Sequence, residues 1–318
     1  MSPERCLLVA LDTSAQSLAA LEMGVELASM GGCSLKGVYI EEKKLQAACL
    51  SSISREVELA TTSNRSFDME RLASIHRAQA AHARQAIEMA SERRRIDWEF
   101  EVRHGVASEV IQELGKVSEM VLMGSRSMNW GQGSGFGSTA LPMITRYPGS
   151  LFLARKSKSL AFPLTVVCCG FEANQVMLKL AFDLGQLCHH YVHVVYLPTK
   201  KTDDEAALRH WLTQISEDKG VIFRMYVVES ATRMHLLGFL ESFKPGTLIF
   251  PELNWCRQKR FIEAVQRLDC PILIYRHAAA VSSPTPVMAD GELNRKMLRT
   301  DSAGISDPNR GNAGFCVD

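Results

Sequence analysis

Short, unbroken apolar runs alternate along this chain with longer stretches in which apolar residues recur at helical spacing, and the alternation runs through twice. Cys6 to Leu11 is the first such run, and it ends in Asp12. A continuous run of this length fits a strand buried on both faces of a parallel sheet. Behind it, Thr13–Ser17 supplies capping hydroxyls. Leu18, Leu21, Val25 and Ala28 then share one helical face until Gly31-Gly32 ends the helix. Leu35 to Ile40 predicts a second strand. Residues 41–66 are mostly polar and predict a mobile excursion with at most one short helix. Asp68 to Arg94 predicts a long helix carrying Leu72, Ile75, Ala83, Ala86 and Ile87. His76 and His82 on it read as packed or surface histidines, since no third ligand stands near them.

Trp98, Phe100 and Val102 alternate with Glu99, Glu101 and Arg103, the pattern of a half-exposed strand. Gly105 and Ser108 open a helix carrying Val110, Ile111, Leu114 and Val117. Met120 to Met123 is a fourth strand, Leu141, Ile144 and Tyr147 mark a further helix, and Ser150 to Ala154 a fifth strand. The order β-α-β-α-β-α-β-loop-α-β predicts a mainly parallel sheet with helices on both faces. In such sheets ligands bind at the carboxyl ends of the strands, where strand order reverses.

The fourth strand is followed by the chemically suggestive stretch. From Gly124 the chain reads G-S-R-S-M-N-W-G-Q-G-S-G-F-G-S-T, glycine-rich and nearly uncharged, and then turns helical. Strand, glycine loop and helix start together suit phosphate. Glycines let backbone N–H groups approach the anion, and a helix start adds free donors and partial positive charge. The hydroxyls of Ser138 and Thr139 either cap that helix or bond a phosphate oxygen. Asp12, at the same sheet edge, is a ligand-contacting carboxylate or a cap for the next helix.

The pattern then restarts. Leu164 to Leu197 lies on Leu7 to Ile40 without a gap, matching Val166 to Val9, Leu178 to Leu21 and Val195-Tyr196 to Val38-Tyr39. Thr202 and Glu205 form a capping box before Leu208, Trp211, Leu212 and Ile215. Strands are expected at Val221–Val228, Leu248–Phe250 and Cys270–Arg276, with a helix through Met234, Leu237 and Leu240. The second half has lost the phosphate features. Cys169 stands for Asp12 and Pro251 for Gly124, Glu252 adds negative charge, and the connection to the fifth strand is shorter. Proline has no N–H to give to phosphate. Arg257, Lys259 and Arg260 on that connection either attract an anion or form a charged helix face.

Composition narrows the field without naming a function. The chain has 318 residues, 46% hydrophobic and 22% charged, with a net charge of +1. That balance gives no reason to expect nucleic acid or a membrane surface as partner. No apolar run approaches the roughly 20 residues that span a bilayer, and the N-terminus lacks a signal peptide's apolar core, so a cytoplasmic location is expected. Nine cysteines show no metal-ligand spacing and read as free thiols, buried for the most part, with Cys316 the exposed one.

V-A-L-D-T-S at the first strand, V-L-M-G-S-R-S at the fourth, and Gly124 with Gly137-Ser138 at the spacing G-x2-x-x9-G-S resemble the universal stress protein family throughout residues 5–155. Its nucleotide signature is G-x2-G-x9-G-[S/T]. Ser127 replaces the second glycine, which costs on the order of 1 kcal/mol if that position needs positive φ. The resemblance implies two tandem domains of adenine nucleotide alpha hydrolase-like fold, each a five-stranded mainly parallel sheet with helices on both faces. Their expected bounds are 1–157, 158–278 for a degenerate copy, and 279–318 for a disordered tail. It implies fifth strands paired across the two halves. ATP or a related adenine nucleotide is the implied ligand, with Ala10, Asp12, Ile40, Met123, Gly124, Arg126, Ser127, Gly137, Ser138 and Thr139 as binding positions.

Magnesium would arrive only with the nucleotide, since no metal site of the protein's own is expected. A regulatory, stress-linked role with an unidentified protein partner follows from the resemblance, and a homodimer is left open. No catalytic residue is assigned, because no general base stands beside the loop, although slow ATP hydrolysis stays open. A nucleotide-independent interaction protein is the alternative. An ATP-activating enzyme of the related hydrolase class would need a glycine-containing loop after the first strand, where this chain has Leu11–Ser17.

Overall fold

The apolar runs become the interior of one sheet. The computed structural model describes residues 5–42, 55–57, 64–66, 69–126, 136–155, 160–187, 191–198, 204–228, 233–252 and 257–276, all within one compact unit, Met1–Ser282. Ser127, the loop glycines 131, 133 and 135, Thr202 of the expected capping box, Cys188, Cys316 and the expected tail 279–318 lie outside the described residues.

In the first half the strands are β1 (Cys6–Ala10), β2 (Ser34–Glu42), β5 (Trp98–Gly105), β6 (Met120–Gly124) and β7 (Ser150–Ala154). The helices between them are α1 (Ala15–Gly31), α2 (Met69–Glu92), α3 (Ala107–Gly115) and α4 (Ala140–Arg146). In the second half β8 (Leu164–Cys169), β9 (Val192–Leu197), β10 (Phe223–Val227), β11 (Thr247–Pro251) and β12 (Ile272–Tyr275) alternate with α5 (Gln175–Leu187), α6 (Asp204–Lys219), α7 (Arg233–Phe243) and α8 (Lys259–Arg267). A three-residue 3₁₀ turn, Glu172–Asn174, precedes α5. The polar excursion differs from expectation. β2 runs on to Glu42, and the described part of residues 41–66 is a pair of short antiparallel strands, β3 (Arg55–Val57) and β4 (Asn64–Ser66), rather than a helix.

The ten long strands form one sheet in the order β10-β9-β8-β11-β12-β7-β6-β1-β2-β5. Each half therefore repeats the same strand order, mirrored about the β7–β12 seam. Within a half all pairs are parallel. At the seam β7 and β12 run antiparallel, with Leu151, Phe152 and Leu153 opposite Ile274, Leu273 and Ile272. The pairing covers two apolar strands that would otherwise be exposed edges. Ser150 ties it, its hydroxyl donating to the Arg276 carbonyl and accepting from the Arg276 N–H, both at 3.0 Å.

The helices divide between the two faces. α1, α2, α5 and α6 pack one core, and α3, α4, α7 and α8 the other. Two apolar residues assigned to helices are exposed: Val117 lies past the end of α3, and Leu141 sits on the outer side of the short α4. On α2 the buried stripe is His76, Ala80, Ala83 and Ile87, which leaves Ile75 exposed and brings His76 inward.

In the second half His193 on β9 is buried among Tyr191, Tyr226 and Phe243, with ring centroids 5.3, 5.5 and 4.8 Å away. Burial lowers its pKa below the ordinary 6.5, and the Arg224 charge adds to the shift. The unfolded chain therefore takes up this proton more readily than the folded one. The resulting stability is present above about pH 6.5 and is lost as pH falls from there through the lower folded value. Urea unfolding between pH 7.5 and 5 should show the loss, and His193→Phe should flatten that segment of the curve. A profile identical in the variant would refute the assignment.

Candidate functional site

β1 and β6 are parallel neighbours, with Leu7, Leu8 and Val9 opposite Met120, Val121 and Leu122. The chain leaving β1 enters α1 on one face, and the chain leaving β6 leads to α4 on the other. Divergence of the two connections opens a cleft at the carboxyl edge. It is open to solvent, and its space of about 810 Å³ includes the water-filled mouth.

One wall is the turn after β1. Leu11 N–H still donates to the Val38 carbonyl, at 2.9 Å, and the strand then breaks. Asp12 accepts through Oδ1 from the Ser14 N–H at 3.1 Å, and its own N–H lies 3.3 Å from Ser17 Oγ. The cap of α1 is Ser14, whose hydroxyl accepts from the Ser17 N–H. Asp12 thus shapes the turn and does not cap the helix. Between them Thr13 has φ of 62°, a left-handed conformation that costs a β-branched residue about 1–2 kcal/mol.

A second wall is the chain leaving β6. A Cβ on Gly124 would stand 3.0 Å from Gln16 Cβ and 3.1 Å from the Arg126 carbonyl oxygen and the Ser17 nitrogen. Only glycine fits there without displacing the turn after β1. Gln16 joins the two walls, its Oε1 accepting from the Ser125 hydroxyl and the Arg126 N–H, both at 2.9 Å. The Gly137 N–H donates to the Ser125 carbonyl at 2.9 Å, closing the base of the glycine loop. The N–H groups of Arg126 and Gly137 are therefore engaged within the protein. Gly137 acts as a clamp on the loop and not as a donor towards phosphate. The N–H groups of Ser138, Thr139 and Ala140 have no backbone acceptor among the described residues. Thr139 is the N-cap position of α4, yet its hydroxyl makes no capping hydrogen bond, so the capping alternative for that hydroxyl fails.

The far end is formed by Val38, Tyr39, Ile40 and Glu42 of β2, His76 and Gln79 of α2, and Ala107 and Ile111 of α3. The Tyr39 hydroxyl donates to Gln79 Oε1 at 2.7 Å and lies 2.7 Å from His76 Nδ1. Burial, with the Glu41 and Asp12 carboxylates nearby, pushes the Tyr39 phenol up to about 12, so it keeps its proton at neutral pH. Of the positions singled out from the sequence, Ala10, Asp12, Ile40, Met123, Gly124, Arg126, Gly137 and Thr139 line this one cleft. Ser138 is exposed and does not line it. Ser127 lies outside the described residues. Sequence reading missed Gln16, Tyr39, His76 and Gln79.

The corresponding place in the second half is built differently. Pro251 pairs with Tyr275 as Gly124 pairs with Ala154. Burial pushes the Cys169 thiol up to about 12, so it stays neutral where Asp12 is its counterpart. Asn174 closes the turn by donating to the Cys169 and Gly170 carbonyls, at 2.9 and 2.7 Å. Glu252 is not the bare negative charge that the sequence suggested. Arg257 forks onto its Oε1, and Arg276 Nε lies 3.3 Å from its Oε2, within ion-pair distance though not aligned as a hydrogen bond.

Comparison with known proteins fits this architecture. Residues 5–155 match the model of the universal stress protein family. No curated protein matches the sequence. Among solved structures, a universal stress protein from Archaeoglobus fulgidus is 14% identical and superposes with a TM-score of 0.59, covering 86% of this chain and 97% of its own. A universal stress protein from Pseudomonas aeruginosa is 10% identical, with a TM-score of 0.50 over 86% of this chain and 93% of its own. A universal stress protein solved in complex with cAMP is 16% identical, the match covering 49% of this chain and 100% of its own, at a TM-score of 0.32.

A mainly parallel sheet, helices on both faces and a cleft at the switch point define an α/β protein of adenine nucleotide alpha hydrolase-like fold. Residues 5–155 form a domain of the universal stress protein family.

Proposed function

We propose that this is a tandem universal stress protein whose first domain, residues 1–157, binds ATP or a related adenine nucleotide, one per chain. Residues 158–278 form a degenerate domain that covers the first domain's edge strand. The carrying observation is the convergence of Asp12, Gly124 and Thr139 on one cleft at the strand switch point. Asp12 offers a carboxylate to ribose hydroxyls. The opening turn of α4 offers N–H donors, and Arg126 a cation, to the phosphates. Binding then acts through conformation and contact with a protein partner, not through turnover. Magnesium travels with the triphosphate; among the described residues no group of three or more His, Cys, Asp and Glu side chains could hold a metal. Among them, too, no helix is long and apolar enough to cross a membrane.

A second reading, an interaction protein with a vestigial site, draws on the N–H groups of Arg126 and Gly137, both spent inside the protein. Calorimetric titration of nucleotide-free protein with ATP decides between them. A stoichiometry near one supports the first reading. Absence of binding supports the second, and a value near two would mean that the second half also holds nucleotide despite Pro251, neutral Cys169 and the Glu252 ion pairs.

A further inference from the structure

We infer that His76 reads the base of the nucleotide, its Nε2 accepting a hydrogen bond from the 6-amino group of adenine and so disfavouring 6-oxo purines. The inference rests on the nucleotide-binding reading above. His76 lines the cleft and is only 7% exposed, yet its Nε2 has no partner among the described residues. A buried polar atom left unpaired is costly and calls for an explanation, and a ligand is the natural one in a binding cleft.

The polarity of that atom follows from its neighbours. A phenol has one proton, and Tyr39 gives it to Gln79 Oε1 at 2.7 Å. The Tyr39 oxygen, 2.7 Å from His76 Nδ1, is then left as the acceptor of that contact, so Nδ1 carries the ring proton. A neutral imidazole protonated at Nδ1 presents a lone pair at Nε2. The group that satisfies it must be a donor.

Strand order says which part of the ligand arrives there. The phosphate loop leaves β6, Asp12 leaves β1, and Tyr39 stands on β2, the three strands being consecutive in the sheet. A nucleotide laid along this edge with its phosphates at β6 and its ribose at Asp12 reaches β2 with its base, about 10 Å further on. Ile40 and Ile111 supply apolar surface for a ring at that end. Adenine offers an amine at position 6. Hypoxanthine offers a carbonyl oxygen, which would face the lone pair of Nε2 and leave both acceptors unpaired.

The test is titration of the full chain with ATP and with inosine triphosphate, which differ in the base only at position 6 and in the proton that N1 carries in the 6-oxo form. The wild-type protein should bind ATP about tenfold or more tightly over the inosine nucleotide. His76→Phe should bring the two within about threefold, whereas His76→Gln, whose carboxamide oxygen falls near the Nε2 position, should keep part of the preference. Tyr39→Phe frees the tautomer and should give an intermediate ratio. Melting curves of the three variants confirm that they are folded; if His76→Phe unfolds, the glutamine and Tyr39 variants carry the test. Equal affinities in the wild type, or a preference for inosine, would overturn the role of His76 while leaving nucleotide binding intact. Equal affinities with a marked loss for 2′-deoxy-ATP would overturn it in favour of a ribose hydroxyl as donor. Failure of both triphosphates to bind would overturn the nucleotide reading itself.

Discussion

Gly124→Val is expected to weaken nucleotide binding at least about a hundredfold while leaving the protein folded. The hydrogen of Gly124 faces Gln16 Cβ, the Ser17 nitrogen and the Arg126 carbonyl oxygen, at distances where a Cβ is already tight. A valine adds two methyl groups beyond that point. The turn after β1 must then move away from the start of the phosphate loop, and the Gln16 bridge to Ser125 and Arg126 is lost. Asp12 and the loop would no longer address one ligand together. Hundredfold corresponds to about 2.7 kcal/mol, a reasonable cost for overpacking at a site that cannot relax inward. Gly124→Ala needs shifts of only a few tenths of an ångström and should lose about tenfold. Calorimetric affinity, read beside far-ultraviolet circular dichroism, is the measurement. A folded valine variant that binds ATP like the wild type would remove the cleft from consideration.

Arg276→Ala should lower the unfolding free energy by about 3 kcal/mol or more. The Arg276 side chain is 1% exposed and sits at the seam between the halves. Its guanidinium donates to the Ile144 carbonyl at 2.8 Å and the Gly149 carbonyl at 3.2 Å, the first in the last turn of α4 and the second beyond it. A cation there meets the negative end of the helix as well as unpaired carbonyl oxygens. Truncation leaves those oxygens buried without a donor and takes one of two cations from Glu252. Arg155 makes the reciprocal contact, donating to the Gln266 and Val265 carbonyls at the end of α8. Arg276→Lys retains a charge but not the planar fork, and should recover only part of the loss. Urea midpoints of the three proteins give the comparison; a change below about 1 kcal/mol in the alanine variant would show that the seam does not depend on this residue.

Strands were legible in the sequence because each is a closed run of apolar residues buried on both faces, a pattern that needs no knowledge of what packs against it. The positions of Asp12 and Gly124 at one edge followed from element order alone, since parallel strands all end on the same side. What stayed hidden depends on tertiary contact. His76 looks like any polar residue of a helix until α2 is laid on the sheet and its buried stripe is seen to pass through it. Gln16 reads as part of a polar turn until β6 delivers Ser125 and Arg126 beside it. The Gly137 N–H looked free for phosphate because glycine-rich sequence says nothing about which carbonyl will return to claim it. Glu252 looked like uncompensated charge because Arg276 reaches it from the end of the next strand.

The antiparallel seam between β7 and β12 joins two parts of one chain, with only the short stretch from Arg155 to Pro163 between β7 and β8. Separate chains meeting through such strands would part on dilution. A tether this short holds its partner at an effective concentration in roughly the millimolar range, whatever the amount of protein present. It also removes a constraint. In a dimer of identical chains every substitution appears on both sides of the twofold axis. Here each side can change alone, so one half is free to set Pro251 and its ion pairs where the other has Gly124 while still serving as the other's neighbour. On the proposed reading, a signal entering such a molecule is lopsided from the start: a single small molecule on one side, and an answering surface on the other that need not resemble it.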